Sequence, residues 1–434
     1  MIKIAVIGTG YVGLVTAVCF AEKGFEVVCV DNDINKIDSL NKGIMPIYEE
    51  SLEELCKKYA YTNKLIFTTD MEYAVKSCEV IFIAVGTPSL KNGETDLSYV
   101  TTVANDIGRF INGYKVVVNK STVPVGTQKL VKNIIKNMSK SSDFDVVSNP
   151  EFLKEGDAIK DTLYPDRIVI GTDSNIASEI MEEVYNSFSA PIVFVAPETS
   201  EMIKYASNTF LALKVSYINE IANICELVGA DVSDVALGMG YDKRIGNKFL
   251  NAGIGFGGAC FPKDVLSILD TSSKMGYEFK IARSLLEINE TQKLIPVEKL
   301  KKCMNNELNG KKIAVLGLSF KPNTDDLRGA PSVKIISELI KLGAKIKTYD
   351  PVAFNNAKKI IGDDVEYCND LYSCVEGVNA IVIVTEWDEI KNIDLKKSAE
   401  LVDEKFIIDG RNCINSNYAI EHGFKYFGIG KPEL

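Results

Sequence analysis

Lys3-Ile-Ala-Val-Ile-Gly8-Thr-Gly10-Tyr-Val-Gly13 opens the chain as an apolar run that turns through three glycines. An apolar run of this length bounded by glycine reads as a strand buried on both faces. Residues 11–23 behind it read as a helix, and Glu26-Val-Val-Cys-Val-Asp31 gives a second buried strand that completes a βαβ unit. Glycines between strand and helix let the chain turn tightly and let a pyrophosphate approach the helix N-terminus. Asp31 ends the second strand, where a carboxylate accepts hydrogen bonds from an adenosine ribose and repels a 2′-phosphate. NAD is therefore the expected cofactor. The alternative, a glycine turn kept only for packing, does not use Asp31.

The same alternation continues with strands at residues 80–85, 116–119, 146–148 and 167–170, which predicts a doubly wound parallel sheet. Strand character then disappears from 200 to 293, and residues 201–228 form one long stretch of helical periodicity. After Asn309-Gly310 the opening returns. Lys312-Ile-Ala-Val-Leu-Gly317 repeats the first strand 309 residues on, Ile346-Lys-Thr-Tyr-Asp350 repeats the strand that ends at Asp31, and Ala380-Ile-Val-Ile-Val-Thr385 repeats residues 80–85. Three matches in the same order indicate a duplicated sheet motif. The predicted fold class is α/β, with two Rossmann-like doubly wound domains (1–199 and 296–434) joined by an all-helical region (200–295) that contains a long helix.

Composition narrows the chemistry. The 434 residues carry 49 Lys and Arg against 59 Asp and Glu, a formal charge of −10, which argues against a nucleic-acid surface. A hydrophobic fraction of 46% with 25% charged residues excludes disorder and low-complexity architecture. With one histidine, His422, histidine triads and multi-histidine metal sites are excluded by counting, and no metal is expected. The ten cysteines form no C-x-x-C, and Cys19, Cys29, Cys78 and Cys225 lie in apolar runs as reduced core thiols would. The uncharged stretch 4–21 is interrupted by Gly8, Gly10 and Gly13, so it reads as strand and helix, not as a leader or membrane span. A soluble, cytoplasmic protein is expected.

Gly255-Phe-Gly-Gly-Ala-Cys260-Phe-Pro262-Lys-Asp264 is the most informative segment. Its glycines free the backbone to approach a ligand, Pro262 suits the first turn of a helix, and Cys260 falls at that helix's N-terminus, where the dipole and Lys263 favour a thiolate. Asp264, four residues on, shares its face. A nucleophile beside a carboxylate able to activate water suits covalent catalysis; a buried structural cysteine beside a solvated aspartate is the plainer reading. Lys204 and Asn208 are also four apart, and a buried lysine there would polarise an oxygen or shuttle a proton, whereas a snorkelling one would not. Ser121-Thr122-Val-Pro-Val-Gly126-Thr127 and Asn149-Pro-Glu151-Phe152-Leu153-Lys-Glu155-Gly156 follow strand ends, where ligands sit in open α/β sheets. In the second unit Gly317-Leu-Ser-Phe320-Lys321-Pro322 replaces the three glycines, so a different ligand is expected there, a nucleotide moiety whose charge Lys321 and Arg328 would offset.

These runs, with Val85-Gly-Thr87-Pro88, Arg244-Ile-Gly-Asn-Lys-Phe249-Leu250 and Phe320-Lys-Pro-Asn-Thr-Asp-Asp-Leu-Arg328, resemble the UDP-glucose/GDP-mannose dehydrogenase family over nearly the entire chain. The resemblance implies oxidation of the C6 alcohol of a UDP-sugar to a carboxylate with two NAD. Cys260 would capture the aldehyde as a thiohemiacetal that becomes a thioester, and Asp264 would activate the water that releases the uronate. Thr122, Glu151, Lys204 and Asn208 would handle protons and hold the reacting oxygen. It further implies that Gly8, Gly10, Tyr11, Val12, Gly13, Asp31, Lys36, Thr87, Thr122, Glu155, Lys263 and Arg328 bind NAD. Glu151, Phe152, Leu153, Lys204, Asn208, Phe249, Leu250, Asn251, Gly253, Gly257, Phe320, Lys321 and Arg411 would bind the UDP-sugar. Arg244 would reach a neighbouring subunit's active site across a homodimer interface built largely by the long helix. Ala259 departs from the serine of many members and removes one possible hydrogen bond.

The runs around Glu151 and Arg244 favour UDP-glucose. GDP-mannose and UDP-N-acetylhexosamines remain open, since a sugar's configuration at one carbon rests on contacts worth only about 1–3 kcal/mol. A simple β-hydroxyacid dehydrogenase would share the first domain and a lysine but would not need Cys260 or a second α/β unit. A non-enzymatic NAD sensor would leave Cys260 and Asp264 without purpose.

Overall fold

Successive side chains of a strand point to opposite faces. In the first strand, β1 (Lys3–Ile7), Ile4 and Val6 enter one core while Ala5 and Ile7 enter another. A strand buried on both faces needs helices on both sides, and the computed structural model, which describes residues 2–90, 92–139 and 143–432, has that arrangement. Seven more strands complete the first sheet: β2 (Glu26–Val30), β3 (Leu65–Thr68), β4 (Val80–Ile83), β5 (Lys115–Asn119), β6 (Phe144–Ser148), β7 (Ile168–Gly171) and β8 (Ile192–Val195). Their order is β3-β2-β1-β4-β5-β6-β7-β8. Pairing is parallel from β3 to β6. The expected parallel alternation reverses at β7, which meets β6 antiparallel through Ser148 and Gly171. The connection between them carries only the short helix Ala158–Leu163 and re-enters the sheet from the edge it left, so no crossover is made.

The second sheet repeats this plan with β9 (Lys312–Leu316), β10 (Lys345–Tyr349), β11 (Glu366–Tyr367), β12 (Ala380–Ile383), β13 (Phe406–Asp409) and β14 (Lys425–Gly428), in the order β11-β10-β9-β12-β13-β14. Its pairings are all parallel among the described residues. Ile313 and Val315 of β9 enter one core and Ala314 and Leu316 the other, the same alternation as in β1. The three repeats seen in the sequence thus occupy equivalent strands, β1 with β9, β2 with β10 and β4 with β12.

The chain forms two compact units, one of residues up to Ser207 with Leu266–Tyr277, the other of Asn208–Val265 with the residues from Glu278 onward. It passes between them inside the 32-residue helix Pro197–Val228 and inside the helix Phe261–Lys274. In the first unit Phe20 stacks edge-on against Phe25 and Phe188, and burying a ring of that size contributes about 1.5–3 kcal/mol. Among the described residues the cysteines form no disulfide, no cluster of His, Cys, Asp or Glu could hold a metal ion, and no helix is long and apolar enough to cross a membrane.

Candidate active site

In the first unit the expected ligand residues gather at the carboxyl ends of successive strands: Gly8 to Gly13 after β1, Asp31 after β2, Thr87 after β4, Thr122 after β5 and Glu151 after β6. That edge is where open α/β sheets bind ligands. The three glycines have different physical duties. A Cβ on Gly8, at φ +102°, would lie 2.6 Å from Ala84 O, and one on Gly13 would lie 1.9 Å from Gly8 O. A Cβ on Gly10 would meet no protein atom within 4 Å. Gly10 also begins the helix Tyr11–Glu22, whose first turn no side chain of the N-cap closes. The first and third glycines therefore serve the turn and the strand–helix contact, and the second leaves a bare helix N-terminus open to an anion, which fits a dinucleotide pyrophosphate.

Asp31 is fixed as a ribose acceptor would need to be. Its Oδ2 accepts from Thr9 N at 2.9 Å, Thr9 Oγ1 at 2.7 Å and Lys36 Nζ at 2.8 Å, while Oδ1 accepts from Asp33 N at 3.1 Å. Asp33 caps the helix Ile34–Asn41 and so sets the turn that carries Lys36. Burial raises the Asp31 carboxyl, but the Lys36 ammonium and the Thr9 hydroxyl and amide outweigh it and hold it below the usual carboxylate range. Thr87 Oγ1 donates to Thr122 O at 2.9 Å, tying the loops after β4 and β5 together. Tyr11 OH hydrogen-bonds Glu49, and Glu49 accepts from Gly156 N and Ala158 N at 2.7 Å each, so the fingerprint helix and the loop carrying Glu155 share one buried carboxylate.

Lys204 is buried, not snorkelling: it and Glu151 are 3% and 5% exposed and form an ion pair at 3.0 Å. The second Glu151 oxygen accepts from Leu153 N at 2.8 Å. Arg167 lies 3.7 Å from the Phe152 ring centroid and Lys204 Nζ 5.3 Å from it. Two further groups hold this edge. Glu201, one turn before Lys204, accepts from Gly126 N at 2.6 Å and Gln128 N at 2.8 Å. Burial pushes its carboxyl up to about 7 against those two amides. Lys120 Nζ contacts Asn149 Oδ1 at 3.1 Å and Tyr185 OH at 3.3 Å, and burial lowers it to about 8.

In the second unit Cys260 directly precedes the helix Phe261–Lys274, and Asp264 N donates to Cys260 O at 2.8 Å to close the first turn. Asp264 is fully buried, with Oδ1 accepting from Lys263 Nζ and Oδ2 from Asn208 Nδ2, both at 2.6 Å. Cys260 thus stands at the start of the helix that carries Asp264, and Lys263 is engaged with Asp264. The preceding loop is held by Asn219 to Gly253 N, Gln292 to Gly253 O, and Asn289 to both Phe256 N and Phe256 O. Phe249 lies at φ +65°, a conformation that costs a non-glycine residue about 1–3 kcal/mol and that the surrounding loop must impose. Leu250 is buried beneath this loop, and Asn251 is exposed.

Arg411, after β13, donates Nε to Val384 O at 2.7 Å, Nη2 to Phe320 O at 3.1 Å and Nη1 to Gly255 O at 3.5 Å, drawing three loops together. The Phe320 ring packs on Gly258, where a Cβ would lie 2.9 Å from the ring, and a Cβ on Gly257 would lie 2.6 Å from Gly329 O. Lys321 Nζ lies 5.8 Å from the Phe320 centroid. Arg328 folds back on Asp326, with Nη2 at 2.8 Å, and Arg244 on Asp242 at 2.6 Å. Arg244 is 89% exposed.

Sequence reasoning missed Glu49, Lys120, Glu201, Asn219, Asn289 and Gln292. For Glu201 and Lys120 a signal existed, Lys120 being a charge between an apolar strand and Ser121-Thr122 and Glu201 a charge one turn before Lys204; for the amide side chains there was none.

A sheet edge with an open fingerprint and a ribose acceptor, in a chain that also presents a cysteine–aspartate pair, defines a dinucleotide-dependent oxidoreductase. Three consecutive segments match the NAD binding domain (2–189), central domain (198–291) and UDP binding domain (314–416) of the UDP-glucose/GDP-mannose dehydrogenase family. The chain is 52% identical over 435 residues to the UDP-glucose 6-dehydrogenase TuaD of Bacillus subtilis (strain 168), covering 100% of this chain and 94% of that one. A UDP-glucose dehydrogenase structure from Pyrobaculum islandicum matches with a TM-score of 0.93 at 37% identity, covering 99% of this chain and 98% of that one. A UDP-D-ManNAc dehydrogenase structure from Pyrococcus horikoshii matches with a TM-score of 0.88 at 30% identity, covering 100% of both. The chain belongs to the UDP-glucose/GDP-mannose dehydrogenase family, and its first unit carries that family's NAD-binding domain.

Proposed function

We propose that the protein oxidises the C6 alcohol of UDP-glucose to UDP-glucuronate in two NAD-dependent steps through a covalent cysteine intermediate. The observation that carries this reading is Cys260 at a helix start, one turn from a fully buried Asp264 whose two oxygens are held by Lys263 and Asn208. The 52% identity to a UDP-glucose 6-dehydrogenase supports the choice of sugar.

NAD, when bound, accepts a hydride in each oxidation. Lys204 holds the C6 oxygen as its proton departs; the ion pair with Glu151 keeps Lys204 charged, so it stabilises negative charge on that oxygen and does not itself take the proton. Thr122 and Glu151 are assigned to proton handling. The Cys260 thiolate adds to the aldehyde carbon, forming a C–S bond, and loss of a second hydride leaves a thioester. Asp264 then deprotonates a water that breaks the C–S bond, returning the thiol and releasing the carboxylate. One alcohol, one water and two NAD give one carboxylate, two NADH and three protons. Tyr11, Asp31, Lys36, Thr87 and Glu155 are assigned to NAD, and the loop 249–257 with Phe320, Lys321 and Arg411 to the UDP-sugar.

The protein is further proposed to act as a homodimer. Phe210, Tyr217 and Ile224 recur at seven-residue intervals on the long helix and are 61%, 47% and 53% exposed, a spacing that suits a self-complementary helix seam.

The test is NADH release with limiting UDP-glucose, run beside GDP-mannose and UDP-N-acetylhexosamines. About two NADH per sugar, with UDP-glucose preferred, supports the reading. A value near one refutes the cysteine route, and a preference for another sugar refutes the assignment of UDP-glucose.

A further inference from the structure

Lys120 is a buried cation with no carboxylate within ion-pair distance among the described residues; it meets the neutral Asn149 Oδ1 and Tyr185 OH, and the Tyr185 ring at 5.7 Å. An ammonium in that setting opposes folding, and an apolar side chain of the same length would pack there at less cost. Its presence there therefore points to work other than stability. The contacts show where that work is directed. Tyr185 OH donates to the same Asn149 Oδ1 at 2.5 Å, Asn149 Nδ2 donates to Val169 O at 2.8 Å, and Asn149 N donates to the carbonyl of Asn119, the neighbour of Lys120. Asn149 is thereby fixed at every polar atom of its side chain, and it sits two residues before Glu151.

The titratable and charged groups acting on Lys120 come from three surrounding elements: Glu151 after β6 favours its charge, Lys204 of the long helix opposes it, and Tyr185 at the end of the helix Asn175–Tyr185 touches it. Two lysines thus flank one glutamate. We propose that Lys120 is a positioning residue for the reaction: its ammonium locks the Asn149-Pro150-Glu151 turn and keeps the Glu151–Lys204 pair in a net positive surrounding where negative charge on the substrate oxygen develops. This rests on the function proposed above.

The test compares wild type with Lys120→Met, which keeps the length and removes the charge, and with Tyr185→Phe, which keeps the charge and removes the hydroxyl's two contacts, with Lys120 and with Asn149. Expected for Lys120→Met are a melting temperature no lower than wild type, unchanged NAD affinity, and kcat on UDP-glucose lowered about tenfold or more with KM altered by less than about threefold. The alkaline limb of kcat near pH 8 should be lost with it. Tyr185→Phe should lower kcat less and keep that limb. Wild-type kcat in a stable Lys120→Met protein overturns the proposal, and so does an unchanged alkaline limb. If Lys120→Met does not fold, a Tyr185→Phe protein that has lost the limb overturns it equally. Wild type inactive on every nucleotide sugar refutes the functional reading itself, a result distinct from an active wild type beside an equally active variant.

Discussion

Adding one methyl group at Gly10 and, separately, at Gly13 should divide cofactor binding from folding. At Gly10 the backbone is extended, with φ −75° and ψ −168°, so alanine fits it, and the new Cβ meets nothing of the protein within 4 Å. Alanine is a poorer helix N-cap than glycine, which costs a few tenths to about 1 kcal/mol, while restricting the unfolded chain returns about 0.4–1 kcal/mol. Gly10→Ala should therefore melt close to wild type. The same Cβ would stand on the N-cap residue of the helix Tyr11–Glu22, beside the backbone N–H groups proposed to hold the NAD pyrophosphate. Losing one hydrogen bond to a charged group costs about 1.5–3 kcal/mol, which is about 10- to 100-fold in Kd. At Gly13 the Cβ would stand 1.9 Å from Gly8 O, a backbone atom that cannot swing aside, and 3.2 Å from Ala84 Cβ. Forcing the helix off the strand should cost about 1–3 kcal/mol or more. Thermal melts with NADH fluorescence titrations read both quantities. Gly10→Ala binding NADH as tightly as wild type would refute the division of duties among the glycines, as would Gly13→Ala melting unchanged.

Three other outcomes follow from the structure. Cys260→Ser should abolish overall turnover while NADH titrations remain as in wild type; retained turnover would remove the covalent route. The Glu201 carboxyl, raised by burial to about 7 from an ordinary 4.5, lets the folded state keep a proton that the unfolded chain gives up. Its contribution is full below about pH 4.5 and is lost as pH rises through 7, up to about 3 kcal/mol, so the melting temperature of wild type relative to Glu201→Gln should fall between pH 5 and 8, and a constant difference would contradict this. Phe210→Glu with Tyr217→Glu should convert the proposed dimer to monomer in sedimentation, and an unchanged mass would place the interface elsewhere.

The elements legible in the sequence were those whose burial is written locally. Both βαβ openings could be read because four consecutive buried residues and a following glycine leave no other assignment, and the repeat 309 residues on is carried by the same residues. The reversal at β7 was not legible, since strand direction depends on which edge a connection re-enters and Ile168–Gly171 is equally apolar either way. Strand β8 was missed for another reason: Phe194 is exposed, so Ile192–Val195 lacks a clear buried alternation. At the site, Cys260 directly precedes the helix that carries Asp264, and their spacing could be read. The Lys204–Glu151 pair joins residues 53 apart, and Asn289 reaches Phe256 across 33, contacts that only the folded chain makes.

The duplicated unit shows how one inherited turn has been closed to the ligand the other admits. Asp350 ends β10 as Asp31 ends β2, and each carboxylate accepts from the loop after the preceding strand. Asp350 Oδ2, however, accepts from Leu318 N, Ser319 N, Ser319 Oγ and the Trp387 indole N–H, and its Oδ1 from Val352 N and Ala353 N. In the first unit the added side-chain partner is Lys36, a partly exposed ammonium; in the second it is a nearly buried indole packed into the core. Ser319 stands where Gly10 leaves its opening, and the helix that follows β9 begins only at Pro331, with fourteen residues of loop in between. The open helix start directly after the strand is therefore absent from the repeat, and its loop supplies Phe320, Lys321 and the carbonyl that Arg411 holds. Removing the indole donor by Trp387→Phe should leave Asp350 with five local hydrogen bonds and no open helix start. It should therefore lower stability without creating a second dinucleotide site, and NADH binding at two sites per chain in that variant would show that the indole alone had kept it closed.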